Sequence, residues 1–114
     1  MCDTNVMIMG TEWKIRYHDS KDDPGLNGAD GYTDASTRLI VIRTDNTAGA
    51  ADWPRAQKAI LRHELIHAFL FESGIAWCYS PAQKYGHDEA MVDWFARKFP
   101  QIMTVYEHLD IAYD

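Results

Sequence analysis

Residues 62–74 read RHELIHAFLFESG. His63 and His67 stand four apart, with Glu64 between them, in a run that is otherwise almost wholly apolar. At about 100° per residue, two side chains at this spacing project about 40° apart on one helix face, so both imidazoles can reach one ion. Zinc takes imidazole nitrogen at about 2.0–2.1 Å, and two histidines at i and i+4 fill two corners of its tetrahedron. Glu64 lies beside that face, where a general base can hydrogen-bond a water on the metal without ligating it. The plain alternative is a helix with one satisfied core histidine and one surface histidine. It leaves a carboxylate and two imidazoles on the most apolar helix with no charge partner nearby in sequence, which costs several kcal/mol when they are buried unpaired. A metal removes that cost.

A catalytic zinc needs one more protein ligand and one open position. The downstream candidates are His87, Asp88, Glu89 and Asp93. Extension to HExxHxxGxxH fails, because Leu70 and Ser73 stand where the glycine and third histidine belong. Glu72 projects about 140° away from His67 and cannot close the same site. Glu89 and Asp93 share a helix face at i and i+4. Glu89 would then ligate zinc while Asp93 accepts the free N–H of a zinc-bound imidazole. His87 or Asp88 as third ligand remains open, as does a solvated helix face for Glu89 and Asp93.

The elements that must carry these residues form an α+β pattern, strands first and helices after. The segment EWKIRYH alternates, with Trp13, Ile15 and Tyr17 on one face, and reads as a half-buried strand. A loop rich in Gly, Asp and Pro follows. GYT and RLIVIR then form a short and a longer strand paired as a hairpin. The expected sheet is small, N-terminal, three-stranded and of antiparallel type, with residues 1–10 a flexible N-terminus. Asp52 is placed to cap a long helix, Pro54 falls in its first turn and Gly74 ends it. Arg55, Lys58 and Arg62 share a solvent-facing stripe of that helix. HDEAMVDWFARKF forms a further helix ended by Pro100, and PQIMTVYEHLDIA restarts a C-terminal one. Trp53, Trp77, Trp94, Phe69, Phe71, Phe95 and Phe99 are expected in the core.

With 114 residues, the chain suits one domain over 1–114. Its 17 acidic against 11 basic residues, net charge −6, disfavour a nucleic-acid or anionic-membrane partner, because both would be repelled. A protein or peptide partner fits better. No signal peptide or membrane span is read, and Cys2 and Cys78 have no CxxC spacing, so a cytoplasmic protein with two reduced thiols is expected.

HExxH followed by ExxxD on a later helix is the gluzincin arrangement, and HELIH with Glu89-Ala-Met-Val-Asp93-Trp-Phe-Ala looks like it. More narrowly, the chain resembles the ImmA/IrrE-like metallopeptidases, whose second motif reads approximately E-x-E-A-N-x-F-A. Phe95-Ala96 match its end. The short, phage- or prophage-borne members and the minigluzincins are the most similar, over residues 11–100. The resemblance implies a three-stranded sheet above an active-site helix, followed by a glutamate helix. It implies His63, His67 and Glu89 as ligands of one Zn2+ per chain, Glu64 as general base and acid, and Asp93 behind the ligands. Asp93 stands where the family often has Asn, and Met91 replaces a second glutamate. No helix-turn-helix is read, so the repressor-cleaving role of larger relatives is not carried over.

The function expected is peptide-bond hydrolysis in a protein substrate, with zinc activating a water and Glu64 taking its proton. Tyr79, Tyr85 and His87, between the two motifs, are candidate oxyanion donors. RLIVIR is a candidate edge for an added peptide strand, and core packing accounts for it equally well. The C-terminal YEHLDIAYD reads as a plain terminal helix, with a plug over the zinc as its alternative. The protein would be a monomer or weak homodimer. The alternative function is a non-catalytic interaction protein stapled by zinc.

Overall fold

The structure, a computed structural model, describes residues 2–74 and 89–114, without the side chains of Glu89, Ala90, Val92, Asp93 and Ala96. Within them lie β1 (Thr4–Ile8), β2 (Thr11–His18), β3 (Gly31–Asp34), β4 (Leu39–Arg43), α1 (Trp53–Glu72) and α2 (Glu89–His108). The class is α+β, with one four-stranded mixed sheet in the order β1-β2-β4-β3. β1 pairs antiparallel with β2, β3 antiparallel with β4, and β2 runs parallel to β4.

Two expectations change here. Thr4–Ile8 form a strand within the expected flexible N-terminus, and the sheet is neither three-stranded nor antiparallel throughout. The extra strand forms because Val6 and Ile8 are buried on the face that also holds Trp13 and Ile15. Met9 and Gly10, at φ 50° and 82°, make the two-residue turn that joins it to β2. Two positive φ values in a two-residue loop match the right-handed twist of the flanking strands. The hairpin of β3 and β4 forms as expected, but β4 lies between β2 and β3 and is not an edge. Ile40, Val41 and Ile42 are all fully buried, as in a strand covered on both faces.

One face of the sheet carries both helices, over a core that includes Ile15, Ile40, Ile42, Leu65, Phe69 and Ile102. α2 runs antiparallel to α1. Trp94 Nε1 donates to Ser73 Oγ at 3.1 Å, and Tyr106 OH donates to the Arg62 carbonyl at 3.1 Å. Pro100 does not divide this helix, contrary to expectation; it sits inside α2. A proline in a helix interior costs roughly 3 kcal/mol. Buried Met91 and Trp94 before it, with Ile102, Val105 and Tyr106 after it, bury enough apolar surface on one continuous helix to offset that. Phe69 and Trp94 are core as expected, whereas Phe99 is 50% exposed.

The Arg55, Lys58 and Arg62 stripe is solvent-facing at Arg55, as expected, but is partly covered at Lys58 and Arg62. The chain after His108 lies along it, with Ile111 buried. Arg62 Nη1 donates to the Ile111 carbonyl at 3.0 Å, and Arg62 and Arg55 pair with Asp114 at 2.9 and 3.1 Å. Among the described residues, that terminal segment therefore meets α1 on its arginine stripe, where a plug over the histidines would not sit.

Residues 19–30 serve the other face of the sheet. Arg43 donates to the Leu26 carbonyl and to Thr47, and Leu26 is fully buried. Asp23 accepts from Tyr32 OH at 2.7 Å and pairs with His18 Nδ1 at 2.8 Å. His18 first, then Tyr32, hold the Asp23 carboxyl below its usual range. A depressed carboxylate stabilises the fold fully above the ordinary value near 3.9, and that stability is lost as pH falls through the depressed one. Asp23→Asn is therefore expected to lower the melting temperature most at pH 7. The gap from wild type should narrow below about pH 4; a gap that stays constant would show that the charge plays no part.

Candidate metal centre

α1 starts and stops on the expected residues. Asp52 Oδ1 accepts from the Arg55 N–H at 3.2 Å, Pro54 lies in the first turn, and Gly74 takes φ 80° beyond Ser73. Leu61, Leu65, Ala68 and Phe69 are buried, while His63 and His67 are exposed. Helical geometry therefore leaves the two histidines side by side on the open flank of a helix anchored by its other side.

His63 Nε2 and His67 Nε2 are 3.2 Å apart, with ring centroids at 4.9 Å and ring planes at 71°. Two nitrogens bound to one tetrahedral zinc at 2.0–2.1 Å lie about 3.3 Å from each other. The pair therefore already has the separation that a shared ion requires. Without an ion, one Nε2 must carry a proton and donate it to the other; a metal instead takes a lone pair from each.

Glu64 is buried to 8% exposure, between the histidines and the sheet. Its carboxylate Oε1 accepts from Thr33 Oγ1 at 2.8 Å, and the same hydroxyl lies 3.1 Å from the Glu64 carbonyl. Thr33 is on β3, the outer strand of the sheet on this side. A cleft of about 350 Å³ opens here, lined by Asp30, Gly31, Ala59, Ile60, His63 and Glu64. It joins the outermost strand to the exposed flank of α1.

Thr33, Asp30 and Gly31 were not among the residues that motif spacing picks out. The alternation of GYTD carries a signal, since Gly31 and Thr33 share one face. Only the pairing of Thr33 with Ile40 shows that this face is the one under α1.

Glu72, excluded by its helix angle, is indeed elsewhere. Its Oε1 accepts from Trp13 Nε1 at 2.8 Å and from Arg38 Nε at 2.9 Å. Tyr79, Tyr85, His87 and Asp88 lie outside the described residues, as do the Glu89 and Asp93 side chains. Glu89 is the first residue of α2. α2 runs antiparallel to α1 and meets Ser73 through Trp94, so its start at Glu89 lies beyond Ser73 from His67. His67 is itself about 9 Å back along the helix axis, and a ligand from Glu89 has to cross more than that distance. Among the described residues, no cluster of three or more metal-binding side chains forms. Nor is any helix among them long and apolar enough to cross a membrane.

No family model matches the chain, and no curated protein or solved structure matches it either. The gluzincin resemblance stands on the motif residues alone.

The histidine pair makes a direct test available. Zinc titrated into metal-free protein, followed by calorimetry, is expected to saturate at one ion per chain. His63→Ala and His67→Ala should each weaken binding by more than about a hundredfold, beyond what losing an outer hydrogen-bond partner costs. Unchanged affinity in either variant would rule out a shared ion.

Proposed function

We propose that the chain is a zinc-dependent peptidase of gluzincin type that hydrolyses peptide bonds in a protein or peptide substrate. The observation that carries this reading is the 3.2 Å separation of the two histidine nitrogens with a buried glutamate beside them. The fit is chemical as well as geometric, since exposed imidazoles with lone pairs converging are the donor set that zinc prefers. His63 and His67 would hold the ion, with Glu89 completing the set and Asp93 orienting one imidazole. Zinc in such a site supplies Lewis acidity and lowers the pKa of a bound water toward 7.

The rest of the chemistry falls to the chain. Glu64 takes the proton from the attacking water and returns it to the departing amine. Its place in the cleft, one helix position from His63, suits that exchange. Among the described residues β3 is an outer strand, and its edge would take an extended peptide that holds the scissile bond along the cleft. This role moves from β4, whose two neighbours leave it no edge. Tyr79, Tyr85 and His87 stay candidates for the oxyanion donor.

A zinc staple without catalysis would need that carboxylate only for its tie to Thr33, not to take a proton from water. Glu64→Gln is therefore the discriminating variant. It should keep its zinc and lose cleavage of a quenched-fluorescence peptide library by about a hundredfold or more; equal cleavage by both proteins would sink the mechanism. Elemental analysis of Glu89→Ala tests the ligand set separately. About one zinc in wild type and much less in the variant is expected, whereas full zinc in both would move the third ligand to His87 or Asp88.

A further inference from the structure

We infer that Thr33 is a positioning residue for Glu64, a role that rests on the peptidase reading for its catalytic consequence. The Thr33 hydroxyl donates to Glu64 Oε1 at 2.8 Å and reaches the Glu64 carbonyl at 3.1 Å, so one side chain meets both the carboxylate and its own backbone. Among the described residues, Thr33 is the hydrogen-bond partner of that carboxylate. A glutamate side chain has three rotatable bonds, and without such a contact its carboxylate would sweep across the cleft. With Oε1 held, Oε2 is the oxygen left to exchange a proton with water.

Thr33 is itself fixed. Its branched Cβ restricts χ1, and its place in the ladder opposite Ile40 sets its height along the strand. Gly31, two residues earlier on the same face, sets the distance. A Cβ there would stand 2.9 Å from the Val41 carbonyl oxygen and 3.0 Å from Ile60 Cγ2. A larger residue would force a shift at the Val41 carbonyl of β4 or at the Ile60 side chain of α1, one turn before Glu64. Gly31 and Thr33 thus work together: one admits the helix, and the other grips its carboxylate.

The alternative is that Thr33 merely ties strand to helix. Thr33→Val and Thr33→Ser separate the two, because valine keeps the shape and strand preference while serine keeps the hydroxyl. Crystal structures, zinc content, melting temperature and kinetics on the best-cleaved library peptide would be measured on zinc-loaded full-length protein. Thr33→Val is expected to bind zinc like wild type but to show the Glu64 carboxylate displaced or in several conformers. Its kcat should fall about tenfold to a hundredfold with KM unchanged, and Thr33→Ser should restore most of it.

A Glu64 carboxylate unmoved in Thr33→Val would overturn the inference. So would a lower melting temperature with kcat intact, or equal losses in both variants. If wild type cleaves no peptide, the peptidase reading fails. The position of Glu64 in Thr33→Val then still decides whether Thr33 holds it.

Discussion

The close approach of α1 to the outer strand of the sheet is the constraint on which the rest of the site depends. It occurs at Gly31, where an added Cβ would stand 3.0 Å from Ile60 Cγ2 of α1. Through that contact the helix carries Glu64 into reach of Thr33 and swings His63 and His67 to the open flank. A helix held farther away would still bring the histidines together, because their spacing is local. It would not hold the carboxylate, whose partner belongs to another element. The cleft exists for the same reason, since its walls are the strand end at Asp30 and Gly31 and the helix turn from Ala59 to Glu64.

The polar residues of this helix divide according to what each can pair with. Glu72 meets the Trp13 indole and Arg38, Arg62 meets the chain end, and Glu64 meets a threonine hydroxyl. The histidines have only each other among the described residues, in a contact that needs one ring to donate from Nε2 and the other to accept there. Buried polar groups are costly when unpartnered, and these two avoid the cost by lying on the surface, where a metal can reach them. Among the described polar residues of this helix, the histidine pair is the group whose hydrogen bond stays within the pair, and it borders the cleft.

Stability is supplied away from that flank. The parallel pairing of β2 with β4 places the buried β4 and the apolar face of β2 at the centre of the sheet, covered by the helices on one face. On the other face Leu26 and the reach of Arg43 close the long loop onto β4. Asp23, held ionised by His18 and Tyr32, fastens the start of that loop to the strands. α2 runs through Pro100 because packing on both sides of it outweighs one lost hydrogen bond. Secondary-structure preference yields to burial there, as it does for the first strand, where Val6 and Ile8 complete the core.

The sequence by itself determined whatever depends on neighbours a few residues apart. The cap at Asp52, the stop at Gly74, the pairing of His63 with His67 and the divergence of Glu72 all follow from the fixed geometry of one helix. The alternation of Trp13, Ile15 and Tyr17 likewise fixed the faces of β2. Tertiary structure decided what depends on contacts between distant segments: the fourth strand, the interior place of β4, the unbroken α2 and the docking of the chain end on Arg55 and Arg62. Thr33 belongs to this second group, since 31 residues separate it from Glu64 and no local period links them. A motif shows which side chains share a helix face, because the backbone hydrogen bonds of that helix set their angles. Which strand comes to lie beneath that face is set by the burial of the whole core, and no short stretch of sequence contains that information.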